Sequence, residues 1–131
     1  MTKKKIAPPI SDVPYVVMVW NDLWTLNHER TKHWGYRKKM VKEWRSATCA
    51  AAKARKIPFM KKVKVTFTPY VATKRKVDTA NHFPVLKAMI DGLVDAGVLS
   101  DDGPDIVTII VFNAPVFAGE KYAKLEILEL E

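Results

Sequence analysis

Two segments of helical periodicity alternate with short apolar runs rich in β-branched residues, and this order constrains the fold more than any other feature. The strand candidates are residues 15–20, 62–68, 106–112 and 122–130. The helix candidates are residues 29–55 and the segment from Pro84, which suits a first helical turn, to Gly97, which suits the position after a helix end. This order predicts a small single α/β (α+β) domain in which two main helices accompany a mixed sheet of about four strands.

Three segments carry further structural expectations. Residues 62–68 alternate strictly between apolar and polar side chains, which predicts a strand with one buried face and one partly basic, open face. Residues 106–112 are almost continuously apolar, which predicts a well-covered strand. Residues 113–120 contain a proline and a glycine, and we interpret them as a hairpin loop that leads into the last strand.

The beginning of the chain differs from the remainder in composition. Residues 1–13 hold three consecutive lysines and two prolines, which predicts a flexible basic arm before a domain at residues 14–131. No apolar run reaches the roughly 18–20 residues of a membrane helix, and no apolar segment follows the basic start, so we expect no membrane partner. The single cysteine, Cys49, excludes an internal disulfide framework and favours a reducing, cytoplasmic location.

Charge is distributed unevenly along the chain, whose formal net charge is +8. Residues 1–76 hold 19 Lys and Arg against four Asp and Glu, whereas residues 77–131 hold three against ten. The first part is typical of a surface that binds a polyanion, and the second part concentrates carboxylates. A nuclease uses both, because cations hold phosphates and carboxylates hold a divalent metal ion. A solvated surface with an accidental asymmetry is the alternative.

Basic side chains before the acidic part are candidates for contacts with phosphates. Lys74, Arg75 and Lys76 form a consecutive triplet after the second strand candidate. Arg37 and Lys38 belong to the cationic face of the first helix candidate. We expect these side chains to bind DNA phosphates without reading bases.

Two aspartates and one lysine are candidates for phosphodiester chemistry. Asp78 follows the basic triplet and Asp102 follows the second helix, and their hard oxygens suit Mg²⁺, for which Mn²⁺ can substitute. Such an ion polarises a phosphodiester oxygen and supplies hydroxide from bound water, and Lys87 is placed to stabilise charge on the phosphate. The alternatives are structural: a loop acid, a turn at residues 101–103, and an ion pair between Lys87 and Asp91 on a solvated helix face.

The order of these residues resembles the central motif of the RusA family of Holliday-junction resolvases, the crossover junction endodeoxyribonucleases. That motif runs D-x-D-N, a helical lysine, D-x-L, a glycine with a hydrophobic neighbour, and D-D. The matching residues are Asp78, Thr79, Ala80, Asn81, Lys87, Asp91–Val98, Asp101 and Asp102. Weaker likeness, to phage-type members, extends to residues 25–34 and 119–127, so the resemblance covers about residues 14–131. Asn27 and Arg30, in the first of these flanks, are further DNA-binding candidates.

The resemblance implies a Mg²⁺-dependent homodimeric endonuclease that binds four-way or branched DNA and nicks opposed strands in DNA recombination and repair. Its location would be the cytoplasm of a bacterium or of a phage-infected cell. It assigns metal-ligand and catalytic roles to Asp78 and Asp102 and a catalytic role to Lys87. Asn81 would support the catalytic site, and Asp101 would be an additional acid beside the metal.

Ala80 stands where the family motif has its second aspartate. Its methyl group cannot coordinate a hard cation, so metal affinity falls and cleavage is weakened or lost. Two explanations stay open: a natural relative with reduced or absent cleavage, and a substitution introduced at an active position. The rival function is a non-catalytic protein that binds branched DNA, and a third is a small basic protein without preference for branches.

Asp78 and Asp102 lie on opposite sides of the second helix in the chain. A helix of about 13 residues is roughly 20 Å long, so the two carboxylates cannot share an ion from its opposite ends. Either the loops fold back along the helix, or a two-fold partner supplies one acid. The resemblance favours a cluster within a single chain.

The four tryptophans are candidates for stacking on unpaired bases at a junction. Helical spacing favours a place in the core for Trp44. Trp24 and Trp34, which lie beside basic residues, are the stronger candidates for contact with DNA.

Overall fold

The computed structural model describes residues 13–25, 34–74 and 82–131. The elements in chain order are β1 (Tyr15–Trp20), α1 (Trp34–Ala54), β2 (Val63–Val71), α2 (Phe83–Asp95), β3 (Val107–Phe112), β4 (Val116–Phe117) and β5 (Tyr122–Glu129). The predicted α/β (α+β) class, the two main helices and the mixed sheet are confirmed, and β4 is a short additional strand that the sequence did not indicate. The arm predicted over residues 1–13 lies outside the described residues except for Val13.

The strands form one mixed sheet in the order β1-β5-β2-β3. β5 runs antiparallel to both β1 and β2, whereas β3 runs parallel to β2. β4 pairs with the end of β2, where Tyr70 lies opposite Val116. The hairpin predicted for residues 113–120 is wrong, because β5 lies between β1 and β2 and does not pair with β3. A parallel pair requires a crossover, and α2 lies between β2 and β3 in the chain.

The two helices cover one face of the sheet and enclose the core with it. Phe67 of β2, Trp44 of α1 and Leu86 of α2 are fully buried in this core. The alternation predicted for residues 62–68 is confirmed as far as Phe67. Thr68 departs from it, since this side chain is buried and accepts a hydrogen bond from the Asn113 amide at 2.9 Å. In the described part of the chain, no helix combines the length and the apolar character that crossing a bilayer requires.

β3 forms one edge of the sheet, so the prediction that residues 106–112 are well covered is wrong. Val107 is buried, but Thr108 is exposed and Ile110 keeps 45% of its surface accessible to solvent. An edge strand has a neighbouring strand on one side only. A continuous apolar run does not distinguish such a strand from a central one.

The sheet carries a row of three stacked rings across β1, β5 and β2. Trp20 of β1 stacks on Tyr122 of β5 with ring centres 5.1 Å apart, and Tyr122 stacks on Tyr70 of β2 at 4.2 Å. The three residues are direct partners in the strand register. Cross-strand ring pairs of this kind stabilise the place of β5 between β1 and β2.

The two helices pack closely against each other at Gly92. A Cβ atom at this position would lie 2.6 Å from the backbone oxygen of Arg45 and 2.8 Å from Cβ of Thr48. A glycine in a helix interior costs about 1 kcal/mol relative to alanine. The close contact therefore requires a residue that is locally unfavourable for the helix.

We expect Gly92→Ala to lower the free energy of unfolding by about 1–3 kcal/mol, because the new methyl group forces the helix backbones apart. This direction is opposite to the gain that alanine gives in an exposed helix. Urea denaturation followed by circular dichroism measures the change. Gly103→Ala is the control, since a Cβ there would meet only the Asp101 carboxylate, at 3.6 Å. Equal losses in the two variants would contradict the close helix contact.

Candidate functional site

α2 places four side chains on one exposed or half-exposed row, at every fourth residue, while its opposite side is buried. The row consists of Phe83, Lys87, Asp91 and Asp95. The Lys87 ammonium donates a hydrogen bond to Asp91 Oδ1 at 3.0 Å, which is the ion pair that the spacing of four residues predicts. The predicted catalytic lysine therefore lies in the first half of α2 with a carboxylate one turn after it.

The chain returns along α2 after the helix ends, and this brings Asp102 to Lys87. Gly97 has a φ angle of +78° and occupies the position after the helix end, as predicted. Val98 and Leu99 follow and are each 1% exposed. Their burial holds the returning segment against the core, so Lys87 Nζ also donates a hydrogen bond to Asp102 Oδ2.

Asp102 therefore lies beside the first half of α2 and not beyond its far end. The predicted fold-back of the loop is observed for this aspartate. The site candidates that lie outside the described residues are Asn27, Arg30, Arg75, Lys76, Asp78, Ala80 and Asn81. An ion shared by Asp78 and Asp102 thus stays a prediction.

Lys87 and Asp102 hold each other in their ionised forms. The hydrogen bond to Asp102 is the largest of the effects that raise the pKa of Lys87, and partial burial opposes it. The same hydrogen bond lowers the pKa of the Asp102 carboxyl group. The Lys87 side chain is nevertheless 50% exposed, so the ammonium is accessible to a ligand from solvent.

Asp101 and Asp102 are the predicted metal ligands that the structure describes, and both are exposed. Asp101 Oδ1 accepts a hydrogen bond from the Asp102 amide at 2.8 Å. Among residues 13–25, 34–74 and 82–131, no group of three or more His, Cys, Asp or Glu side chains is arranged to hold a metal ion. Two adjacent carboxylates fit Mg²⁺ in part, since this ion often uses one or two carboxylates and keeps several waters.

α1 presents a cationic face to solvent. Its exposed basic residues are Arg37, Lys38, Lys39, Lys42, Arg45 and Lys53. Arg45 makes a bidentate ion pair with Asp95 of α2, with distances of 2.5 and 2.8 Å. This contact joins the two helices about one turn after Gly92.

The predicted DNA-binding residues that the structure describes lie in two places. Arg37 borders a surface cavity together with Lys87, so the start of α1 adjoins the candidate catalytic lysine. Lys38 Nζ lies 5.8 Å from the ring centre of Trp34, which is 69% exposed. Lys74 lies beside β4, where its Nζ is 5.3 Å from the ring centre of Phe117.

The tryptophans divide between the core and the surface. Trp44 is fully buried, as predicted, and its indole N–H donates a hydrogen bond to the Asp22 carbonyl at 2.9 Å. Trp24, a candidate for stacking on DNA bases, is not available for this role, because its side chain is fully buried in the core. Trp34 is exposed and keeps its place as a stacking candidate.

Two apolar side chains near Lys87 were not predicted as site residues. Phe83 is 46% exposed one turn before Lys87, and Ile110 of β3 is 45% exposed. The spacing of four residues between Phe83 and Lys87 is visible in the sequence and indicates a shared face. The position of Ile110 follows from the edge location of β3, which the sequence did not indicate.

Comparison with protein-family models finds no matching family, and comparison with curated proteins finds no matching sequence. A function for this chain is therefore inferred from its own residues and from their placement.

We expect Lys87→Gln to raise the pKa of Asp102, because the hydrogen bond that lowers it is lost. In the unmodified protein this carboxylate stabilises the fold above its unfolded pKa of about 3.9, and the contribution disappears as the pH falls through the lower folded pKa. Carboxyl ¹³C NMR titration measures the shift. Lys53→Gln, near the end of α1, is the control and leaves Asp102 unchanged. An identical Asp102 titration in Lys87→Gln would contradict the ion pair.

Proposed function

We propose that this protein is a RusA-like endonuclease that resolves Holliday junctions or other branched DNA by Mg²⁺-dependent phosphodiester hydrolysis. The observation that carries the proposal is the contact between Lys87 and Asp102. Lys87 lies in the first half of α2, and Asp102 follows it 15 residues later, after the helix has ended. In the motif that the sequence resembles, these residues have catalytic and metal-binding roles. The contact brings together the two described residues to which that motif assigns these roles.

The chemistry of the residues is consistent with hydrolysis of a phosphodiester. A bound Mg²⁺ or Mn²⁺ would supply hydroxide and polarise the phosphate. Asp101 and Asp102 provide exposed hard oxygens for such an ion, with Asp78 as the proposed further ligand. Lys87 is half exposed and can offer its ammonium to a non-bridging phosphate oxygen.

The charge distribution supports a nucleic-acid substrate. The exposed face of α1 carries a series of basic side chains, and Arg37 connects that face to the surroundings of Lys87. Phosphate contacts of this kind position a duplex without reading its bases, and the resulting binding weakens with salt. A homodimer, acting in the cytoplasm during DNA recombination and repair, suits a four-way junction because both have two-fold symmetry.

A second candidate function is binding of branched DNA without cleavage. Ala80 favours it, because an alanine replaces a carboxylate at a proposed metal-binding position. The cationic surface would be the same in both cases. The two functions differ only in whether the bound strand is cut.

We expect Ala80→Asp to raise the rate of Mg²⁺-dependent nicking of a labelled four-way junction by at least about 100-fold, since it restores a charged ligand. Adding Asp102→Asn or Lys87→Gln to this variant should remove the gain. Asp105→Asn in the same background is the matched control, because Asp105 is an exposed acid three residues after Asp102 in the chain and has no proposed role. A duplex of the same length tests the preference for branches.

The outcomes separate the two functions. Salt-sensitive binding of the junction with no nicking by Ala80→Asp supports the non-catalytic alternative. Equal binding of junction and duplex, again without nicking, contradicts both functions.

A further inference from the structure

Two surface cavities lie on either side of the Phe83–Lys87 row on α2. One has a volume of about 260 Å³ and the other about 290 Å³, and Phe83 and Lys87 border both. The first lies between α1 and α2, and the second lies between α2 and β3. The half-exposed ring of Phe83 and the stem of Lys87 therefore form a ridge that separates two recesses.

The cavities resemble each other in composition. The first has an apolar lining that includes Val41 and Ala88, with Arg37 and Asp91 at its border. The second has an apolar lining that includes Ile110. Its border includes Asp102. Each recess thus combines apolar surface with one carboxylate, and the two meet at a single ammonium group.

This arrangement matches the chemistry of two neighbouring nucleotides. A phosphodiester carries one negative charge and joins two nucleosides, whose bases are flat, apolar on their faces and bear hydrogen-bond donors on their edges. The Asp91 carboxylate can accept a hydrogen bond from an exocyclic amino group, and the Phe83 ring offers a stacking surface.

We infer that the two nucleosides flanking the phosphate at Lys87 separate from each other and enter the two cavities, one on each side of the Phe83–Lys87 ridge. The inference rests on the proposed function and specifies its substrate class as a strand whose bases are unstacked at a branch point. Removing a base from an intact duplex costs a few kcal/mol, and the cost is lower where stacking is already interrupted. The ridge therefore selects branch points over continuous duplex.

The test places 2-aminopurine, whose fluorescence increases when it is unstacked, on the 5′ or the 3′ side of the branch phosphate in a synthetic four-way junction. Fluorescence is recorded with saturating protein in buffer containing EDTA, so that no strand is cut. We expect an increase of about twofold or more at both positions. A junction labelled in the middle of one arm is the control and shows no increase. No increase at either branch position under saturation overturns the inference.

Cavity-filling variants connect the signal to the two recesses. Val41→Phe fills the first cavity and Ile110→Phe fills the second, so each should abolish the increase at one branch position and weaken junction binding about tenfold. Val41→Ala and Ile110→Ala shorten the side chains at the same positions and leave the cavities open. These variants should therefore keep the fluorescence increase at both branch positions. Fluorescence that is unchanged in both filling variants overturns the inference.

Two measurements keep the outcomes distinct. Circular dichroism reports whether each variant folds, and Ile110, being exposed on an edge strand, tolerates a larger side chain even where Val41 does not. Junction binding and Ala80→Asp nicking are measured on the same DNA. If both are present and the fluorescence is unchanged, only the inference fails. If the junction is bound no better than duplex, the proposed function fails and the inference fails with it.

Discussion

The contact between α1 and α2 at Gly92 determines where the functional candidates lie. Because the helices lie side by side in the same direction, the start of α1 adjoins the first half of α2, and Arg37 reaches the cavity beside Lys87. Further along, Arg45 reaches Asp95. A larger residue at Gly92 would separate the helices and move the cationic surface of α1 away from the carboxylates. The packing of the two helices thus determines how close the basic side chains of α1 lie to the carboxylates of α2.

In the free protein the Lys87 ammonium donates hydrogen bonds to two carboxylates, those of Asp91 and Asp102. A bound metal ion or phosphate could replace either of these contacts. A cation bound at Asp102 would take over the charge compensation that the ammonium now provides. A phosphate at Lys87 would do the same for the lysine. The ion pair between them costs little to open, because both side chains are substantially exposed and the attraction is screened by solvent. Lys87, Asp91 and Asp102 thus form ion pairs without a substrate, and these pairs can open when a metal ion or a phosphate binds.

The sequence was a good guide to local structure and a weaker guide to long-range placement. The bounds of β1 were predicted without error, and the Pro84 and Gly97 signals define α2, because these features depend on neighbouring residues. The insertion of β5 between β1 and β2 depends on pairings far apart in the chain, which no local pattern encodes. For the same reason the edge position of β3 and the burial of Trp24 were missed. At the candidate site, the sequence supplied Lys87 and Asp102, and their contact depends on how the segment after Gly97 packs.

The central position of β5 has a consequence for how the protein acquires its shape during synthesis. β1 and β2 each use β5 as a partner and do not pair with each other. Until residues 122–129 leave the ribosome, β1 lacks its partner strand and β2 is paired only on the side of β3 and β4, so the helices have no complete sheet to pack against. The four-strand order is therefore completed only once β5 has been synthesised, so its formation depends on pairings between segments far apart in the chain.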